Sequence, residues 1–212
     1  MTDSAYFVSP PERPGPGVLL LHSWWGLTPG FRKLADRLAE EGYTVLAPDL
    51  NVGAVFDDEG VAEQHLAQAD VDRMASLVTA SSKLLHEKSA GERIAVLGFS
   101  MGASLGLWAS VRMPEVISAV SAFYGTQAID FTDSDAAYQI HLAGDDRYVT
   151  DDEAAFMQAT MGLESLPVEV WLYPEATHWF FEIDRPEYHE EAAAAAWSRL
   201  TNFLDRHLKP VA

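Results

Sequence analysis

Short, continuously apolar runs alternate along this chain with segments of helical periodicity. Residues 18–21, 44–47, 94–97, 118–123, 139–143 and 168–172 have strand character. VLLL and IAVL are apolar at every position, as strands covered on both faces are. Between the runs, Thr28-Pro29 supplies an N-cap and a first-turn proline, Phe31, Leu34, Ala35, Leu38 and Ala39 share one helical face, and Gly42 stops the segment. Residues 60–86 read as one long helix or two shorter ones, and 101–111 as a helix. Thr150 with Glu153 has the pattern of a capping box, and a C-terminal helix carries Trp197, Leu200, Leu204 and Leu208 on one side. Strand–helix alternation with short connections predicts an α/β fold: a mostly parallel central sheet, helices on both faces and no separate lid domain. A single domain over residues 1–212 is expected, because no repeat occurs and the proline-rich stretch at 9–17 is too short to separate two units. Ligands of such sheets bind beyond the carboxyl ends of the strands.

One of those ends carries Gly98-Phe99-Ser100-Met101-Gly102. This Gly-x-Ser-x-Gly pattern is the nucleophile elbow, in which serine occupies a sharp strand-to-helix turn and glycines let neighbouring backbone approach. Alone it is a weak signal, since a chance match in a chain of this length has a probability of about 7%. The apolar run before it and the helical pattern after it are the context the elbow needs. A serine hydroxyl near neutral pH requires a base. In sites of this type the chain order is serine, acid, histidine. Four histidines follow Ser100: His141 lies inside a strand, His189 and His207 in the C-terminal helix, and His178 in the loop after the last strand. His178 alone is placed at a carboxyl edge. The acid should follow the preceding strand, where Asp145 and Asp146 are both candidates. Asp151 and Asp152 suit the first turn of a helix instead.

With HSWWGLTPGFRKLADRLAEEGYTVLAPDL, GFSMGASLG, GDDRYV and YPEATHWFF in view, the chain resembles the dienelactone hydrolase family of α/β-hydrolases from about Val18 to Leu208. The resemblance implies a hydrolase of esters or lactones. It selects Asp146, which precedes Arg147-Tyr148-Val149, and assigns the histidine to His178. It also implies an oxyanion hole made by the backbone N–H groups of Trp24 and Met101. A helix N-terminus favours that role for Met101 independently. The family's name-giving enzymes use a cysteine nucleophile, where this chain has Ser100. They place a glutamate after the first core strand, where this chain has Ser23. They hold a substrate carboxylate with arginines. The matching site four residues after His178 is Glu182, and no arginine occurs between Arg37 and Arg73. A carboxylated lactone is therefore not the expected substrate.

Trp24, Trp25, Phe99, Phe123, Tyr124, Tyr148, Trp179 and Phe180 gather near the strand ends. About half are expected in the core. Trp25, Phe99, Tyr124 and Trp179 are the candidates for lining a substrate pocket, Phe99 and Trp179 first. His22 is expected to support the oxyanion loop through hydrogen bonds. The formal charge of −18 disfavours nucleic acid and anionic membranes, which need a basic footprint. No cysteine is present, which excludes disulfides and thiolate metal sites. The start lacks a basic and then apolar leader, and no apolar run reaches membrane-spanning length, so a cytoplasmic location is expected. No dinucleotide or phosphate-loop fingerprint occurs, and the acidic clusters at 57–59 and 151–153 lack metal-loop spacing. No cofactor or metal is expected. The expected partner is a small ester or lactone, bound by a monomer or small homo-oligomer.

Overall fold

The apolar runs become seven strands of one sheet in the computed structural model, which describes residues 5–209. The strands are β1 (Ala5–Val8), β2 (Pro16–Leu21), β3 (Thr44–Pro48), β4 (Ala90–Phe99), β5 (Ile117–Phe123), β6 (Ala137–Asp145) and β7 (Val168–Thr177). The helices are α1 (Pro29–Glu40), α2 (Glu59–Ala67), α3 (Val71–Lys88), α4 (Met101–Arg112), α5 (Asp151–Leu163) and α6 (Glu190–Leu208). The strand order is β1-β3-β2-β4-β5-β6-β7. Every neighbouring pair is parallel except β1 with β3. The mostly parallel α/β architecture is therefore the one expected.

Two details differ from the sequence reading, and one alternative it left open is decided. β1 was not foreseen: four residues with an exposed Phe7 carry too little alternation to stand out, and the strand exists by pairing with β3. Residues 60–86 divide into α2 and α3, because the Asp70 carboxylate accepts from the Arg73 N–H and starts a new helix. β4 and β7 extend beyond their apolar centres, β7 as far as Thr177, because pairing with β6 continues through Asp145–Thr177 after an irregularity.

Strand periodicity splits the interior into two layers. Val18, Leu20, Val45, Ala95 and Leu97 face the layer covered by α1 and α6, with Phe31, Leu38, Ala196, Leu200 and Leu204. Leu19, Leu21, Leu46, Ile94 and Val96 face the opposite layer, with Val78 and Leu85 of α3, Leu107 of α4 and Met157 of α5. All four residues of VLLL are fully buried, so both faces of the sheet are covered as the unbroken apolar run requires. α1 starts as its sequence dictates, with the Thr28 side chain accepting from the Phe31 N–H and Pro29 in the first turn. Thr150 and Glu153 form the reciprocal capping box at α5.

This topology has a direct consequence for chemistry. Strands β2, β4, β5, β6 and β7 run parallel, so their carboxyl ends share one edge of the sheet. The residues that immediately follow those ends are His22, Ser100, Tyr124, Asp146 and His178.

Candidate active site

Ser100 is built into the turn between β4 and α4. Its backbone has φ 52° and ψ −114°, a left-handed conformation that non-glycine residues adopt at a cost. The flanking glycines are needed for closeness. A Cβ on Gly98 would lie 2.4 Å from the Gly102 carbonyl oxygen, and one on Gly102 would lie 2.3 Å from the carbonyl oxygen of Leu21. The Ser100 N–H donates to the Phe123 carbonyl at 2.9 Å, which ties the elbow to β5.

The Ser100 hydroxyl lies 2.9 Å from Nε2 of His178. Nδ1 of His178 lies 2.8 Å from both carboxylate oxygens of Asp146. A carboxylate only accepts, so Nδ1 carries the proton and Nε2 is left to accept from the serine hydroxyl. Oδ1 of Asp146 also accepts from the N–H groups of Tyr148 and Val149, at 2.9 and 3.0 Å, which fixes the carboxylate. Asp145 is exposed and takes no part in this line. The His178 ring is 3% exposed and is surrounded by Tyr124, Tyr148 and Trp179, each with ring centroids 4.9 Å away. The other histidines lie elsewhere. His141 is buried between the Tyr173 hydroxyl and Gln139, and burial pushes its pKa down to about 3. His189 caps α6, and His207 is exposed.

The two peptide groups that the family resemblance assigns to the oxyanion hole are oriented by their carbonyls. The Ser23 carbonyl accepts from Nδ1 of His22 at 2.6 Å and from the Gly26 N–H at 3.2 Å. A trans peptide points its N–H away from its C=O, so these bonds aim the Trp24 N–H in the opposite direction. The Ser100 carbonyl accepts from Ala103 and Ser104 N–H groups, which likewise directs the Met101 N–H outward from the start of α4. Neither N–H has a hydrogen-bond acceptor among the described residues. His22 supports its loop by hydrogen bonds, as expected: Nε2 accepts from the Leu50 N–H at 3.0 Å. Burial lowers its pKa to about 4, which keeps the ring neutral.

Comparison with known proteins identifies the family. The family model described as the dienelactone hydrolase family matches residues 4–208. The chain belongs to the dienelactone hydrolase family. It is thus a hydrolase with the α/β-hydrolase fold. It is similar to the carboxymethylenebutenolidase of Rhodococcus opacus, 27% identical over 217 residues that cover 92% of this chain and 82% of that protein. It is similar to protein usf of Aquifex pyrophilus, 27% identical over 214 residues, covering 95% and 93% of the two chains. A candidate dienelactone hydrolase from Klebsiella pneumoniae has the same fold, with a TM-score of 0.86 at 22% identity, covering 96% of this chain and 92% of that one.

Two of the three positions singled out as departures from the name-giving enzymes, Ser23 and Glu182, touch each other. The Ser23 hydroxyl donates to Oε2 of Glu182 at 2.8 Å, and the Tyr124 hydroxyl donates to Oε1 at 3.0 Å. Glu182 is 7% exposed, and burial raises its pKa to about 8 against the opposing effect of the two hydroxyls. Glu59, the first residue of α2, contacts Tyr148 beside His178. Its carboxylate accepts from the Tyr148 hydroxyl and pairs with Arg147. A separation of 89 positions from Tyr148 left no local signal for that contact.

Trp25, Phe99, Tyr124 and Trp179 are all buried in the α1–α6 layer. Trp25 packs edge-on against Trp24 and Trp179, and Phe99 lies among Phe31, Phe123 and Phe181. The share of the aromatic group inside the core is thus larger than the half expected. A cavity of about 320 Å³ lies between α1 and α6, walled by Phe31, Leu34, Phe181, Glu182, Ile183 and Tyr188 among others. None of the four candidates lines it, and neither do Ser100 and His178.

Proposed function

We propose that this chain is a serine hydrolase of small, uncharged carboxylic esters and lactones, working as one domain through Ser100, His178 and Asp146. The observation that carries the proposal is the continuous line of 2.9 and 2.8 Å contacts from serine hydroxyl to imidazole to carboxylate. His178 takes the proton from Ser100 as its oxygen attacks the carbonyl carbon. Asp146 holds the ring in the tautomer that can accept and stabilises the imidazolium that forms. The outward N–H groups of Trp24 and Met101 receive the developing oxyanion. His178 then passes the proton to the leaving alcohol, and the acyl group stays on Ser100. A water molecule, deprotonated by His178, releases it. In a lactone both products leave as one hydroxy acid.

The uncharged substrate follows from a missing cation: the buried Glu182 stands where the family enzymes hold a carboxylate with an arginine, so that position offers an anion no positive partner. Carboxymethylenebutenolidase, the activity named for the Rhodococcus opacus relative, is accordingly not proposed for this chain. A fluorophosphonate probe tests the nucleophile. The wild-type protein should label and should hydrolyse p-nitrophenyl acetate. Ser100→Ala should abolish labelling and lower turnover by about three orders of magnitude or more. Labelling that survives Ser100→Ala unchanged rejects the assignment.

A further inference from the structure

Behind the triad, three side chains from three separate segments meet around one buried carboxyl. Ser23 comes from the turn after β2, Tyr124 from the end of β5 and Glu182 from the loop after β7. We infer that Glu182 is a positioning residue of the hydrolytic site: its carboxyl ties the turn that carries the Trp24 N–H to the Tyr124 ring that packs on His178. The inference rests on the serine-hydrolase reading above.

The Ser23 peptide carbonyl determines where the Trp24 N–H points, and the Ser23 side chain is anchored to Oε2 of Glu182. Losing that anchor loosens the peptide that faces the developing oxyanion. On the other side, Tyr124 has φ 38°, an unfavourable backbone for a bulky residue, so its position depends on the contacts that hold it. Its hydroxyl is held by Oε1 of Glu182, and its ring centroid lies 4.9 Å from that of His178. All three side chains are buried, so water does not readily replace a lost bond. Glu182 itself reaches neither Ser100 nor His178 by a hydrogen bond among the described residues. It acts through two others. A charged Glu182 accepts from both hydroxyls. A neutral carboxyl, or the amide of glutamine, keeps the pair if one hydroxyl turns to accept. The clamp is therefore a matter of shape and hydrogen bonding, and glutamine should serve nearly as well as glutamate.

The experiment measures kcat and KM for a short p-nitrophenyl ester, with circular dichroism on every variant. Glu182→Ala should lower kcat about 10- to 100-fold with KM changed less than about threefold, because positioning of the reacting groups is lost and substrate contact is not. Glu182→Gln should recover most of that loss. Ser23→Ala and Tyr124→Phe should each lower kcat, and neither should lower it further in the Glu182→Ala background, since the shared anchor is already gone. A rise in KM with kcat intact, or full additivity of Ser23→Ala with Glu182→Ala, overturns the inference. If Glu182→Ala does not fold, Ser23→Ala, Tyr124→Phe and their double variant decide the same question: each breaks one arm of the clamp, so each should lower kcat with KM nearly unchanged, and unchanged kcat in both overturns the inference. A wild-type protein that neither labels nor turns over ester rejects the hydrolase reading and the inference with it. A wild-type protein that does both, with Glu182→Ala equally active, rejects the inference alone.

Discussion

Glu182 ionises against its surroundings. Its pKa lies near 8 in the fold, against an ordinary value of 4.5, because burial penalises the charged carboxylate. Arg185, which favours the charged form, and Glu187, which opposes it, are the charged groups acting on it. The native state holds this proton more tightly than the unfolded chain. Its stabilising effect is complete below about 4.5 and is lost as pH rises toward about 8. His22 and His141 act in the other direction. Their folded pKa values lie below 6.5, so the stability they contribute is present above 6.5 and is lost as pH falls. Between pH 6.5 and 8 the Glu182 effect stands alone among these three. Urea unfolding of Glu182→Gln and the wild type should diverge across that interval, the variant gaining about 2 kcal/mol on the wild type at about 1.4 kcal/mol per pH unit. A constant difference between pH 6.5 and 8 would show that the carboxyl does not titrate there.

Two helical glycines separate a required close approach from a tolerated one. Gly102 opens α4, and a Cβ there would meet the carbonyl oxygens of Leu21 and His22 at 2.3 and 2.6 Å, both rigid backbone. Gly162, near the end of α5, would meet nothing within 4 Å. Gly102→Ala should push the first turn of α4 away from β2, destabilising the protein by about 1–3 kcal/mol and displacing the Met101 N–H. Gly162→Ala should stabilise it by a few tenths to about 1 kcal/mol, because alanine restricts the unfolded chain and prefers helix. Thermal or urea melts of the two variants should move in opposite directions. Equal shifts would mean that the elbow has room for a side chain.

The molecule as a whole carries 32 acidic and 14 basic residues, a net charge of −18. Self-repulsion of that size works against the compact state, and salt screens it. Raising sodium chloride from about 0.02 to 0.5 M should raise the melting temperature by roughly 2–4 °C, the equivalent of about 1 kcal/mol for a chain of this size. An unchanged or lower melting temperature would mean that surface ion pairs outweigh the repulsion. Among the described residues no helix is long and apolar enough to cross a membrane.

The sheet was legible because burial on both faces leaves an unbroken apolar run, a signal that each strand carries within itself. The strand ends were legible for the same reason, and Ser100 follows directly after the apolar run that announces β4. The strand reading left Asp145 and Asp146 both open and placed His178 only in the loop beyond the last run, because β6 and β7 extend past their apolar centres. β1 and the Glu59–Tyr148 contact were not legible, since each depends on a partner far along the chain. Nor could the sequence tell which of the clustered aromatics pack into the core, because composition near a strand end does not say which way a ring turns. Glu182 is the sharpest case. The sequence determined that an acid stands where family enzymes carry arginine. Only the tertiary structure decided that this acid is buried between Ser23 and Tyr124, because a side chain's solvation and hydrogen-bond partners depend on which distant segments the fold brings around it.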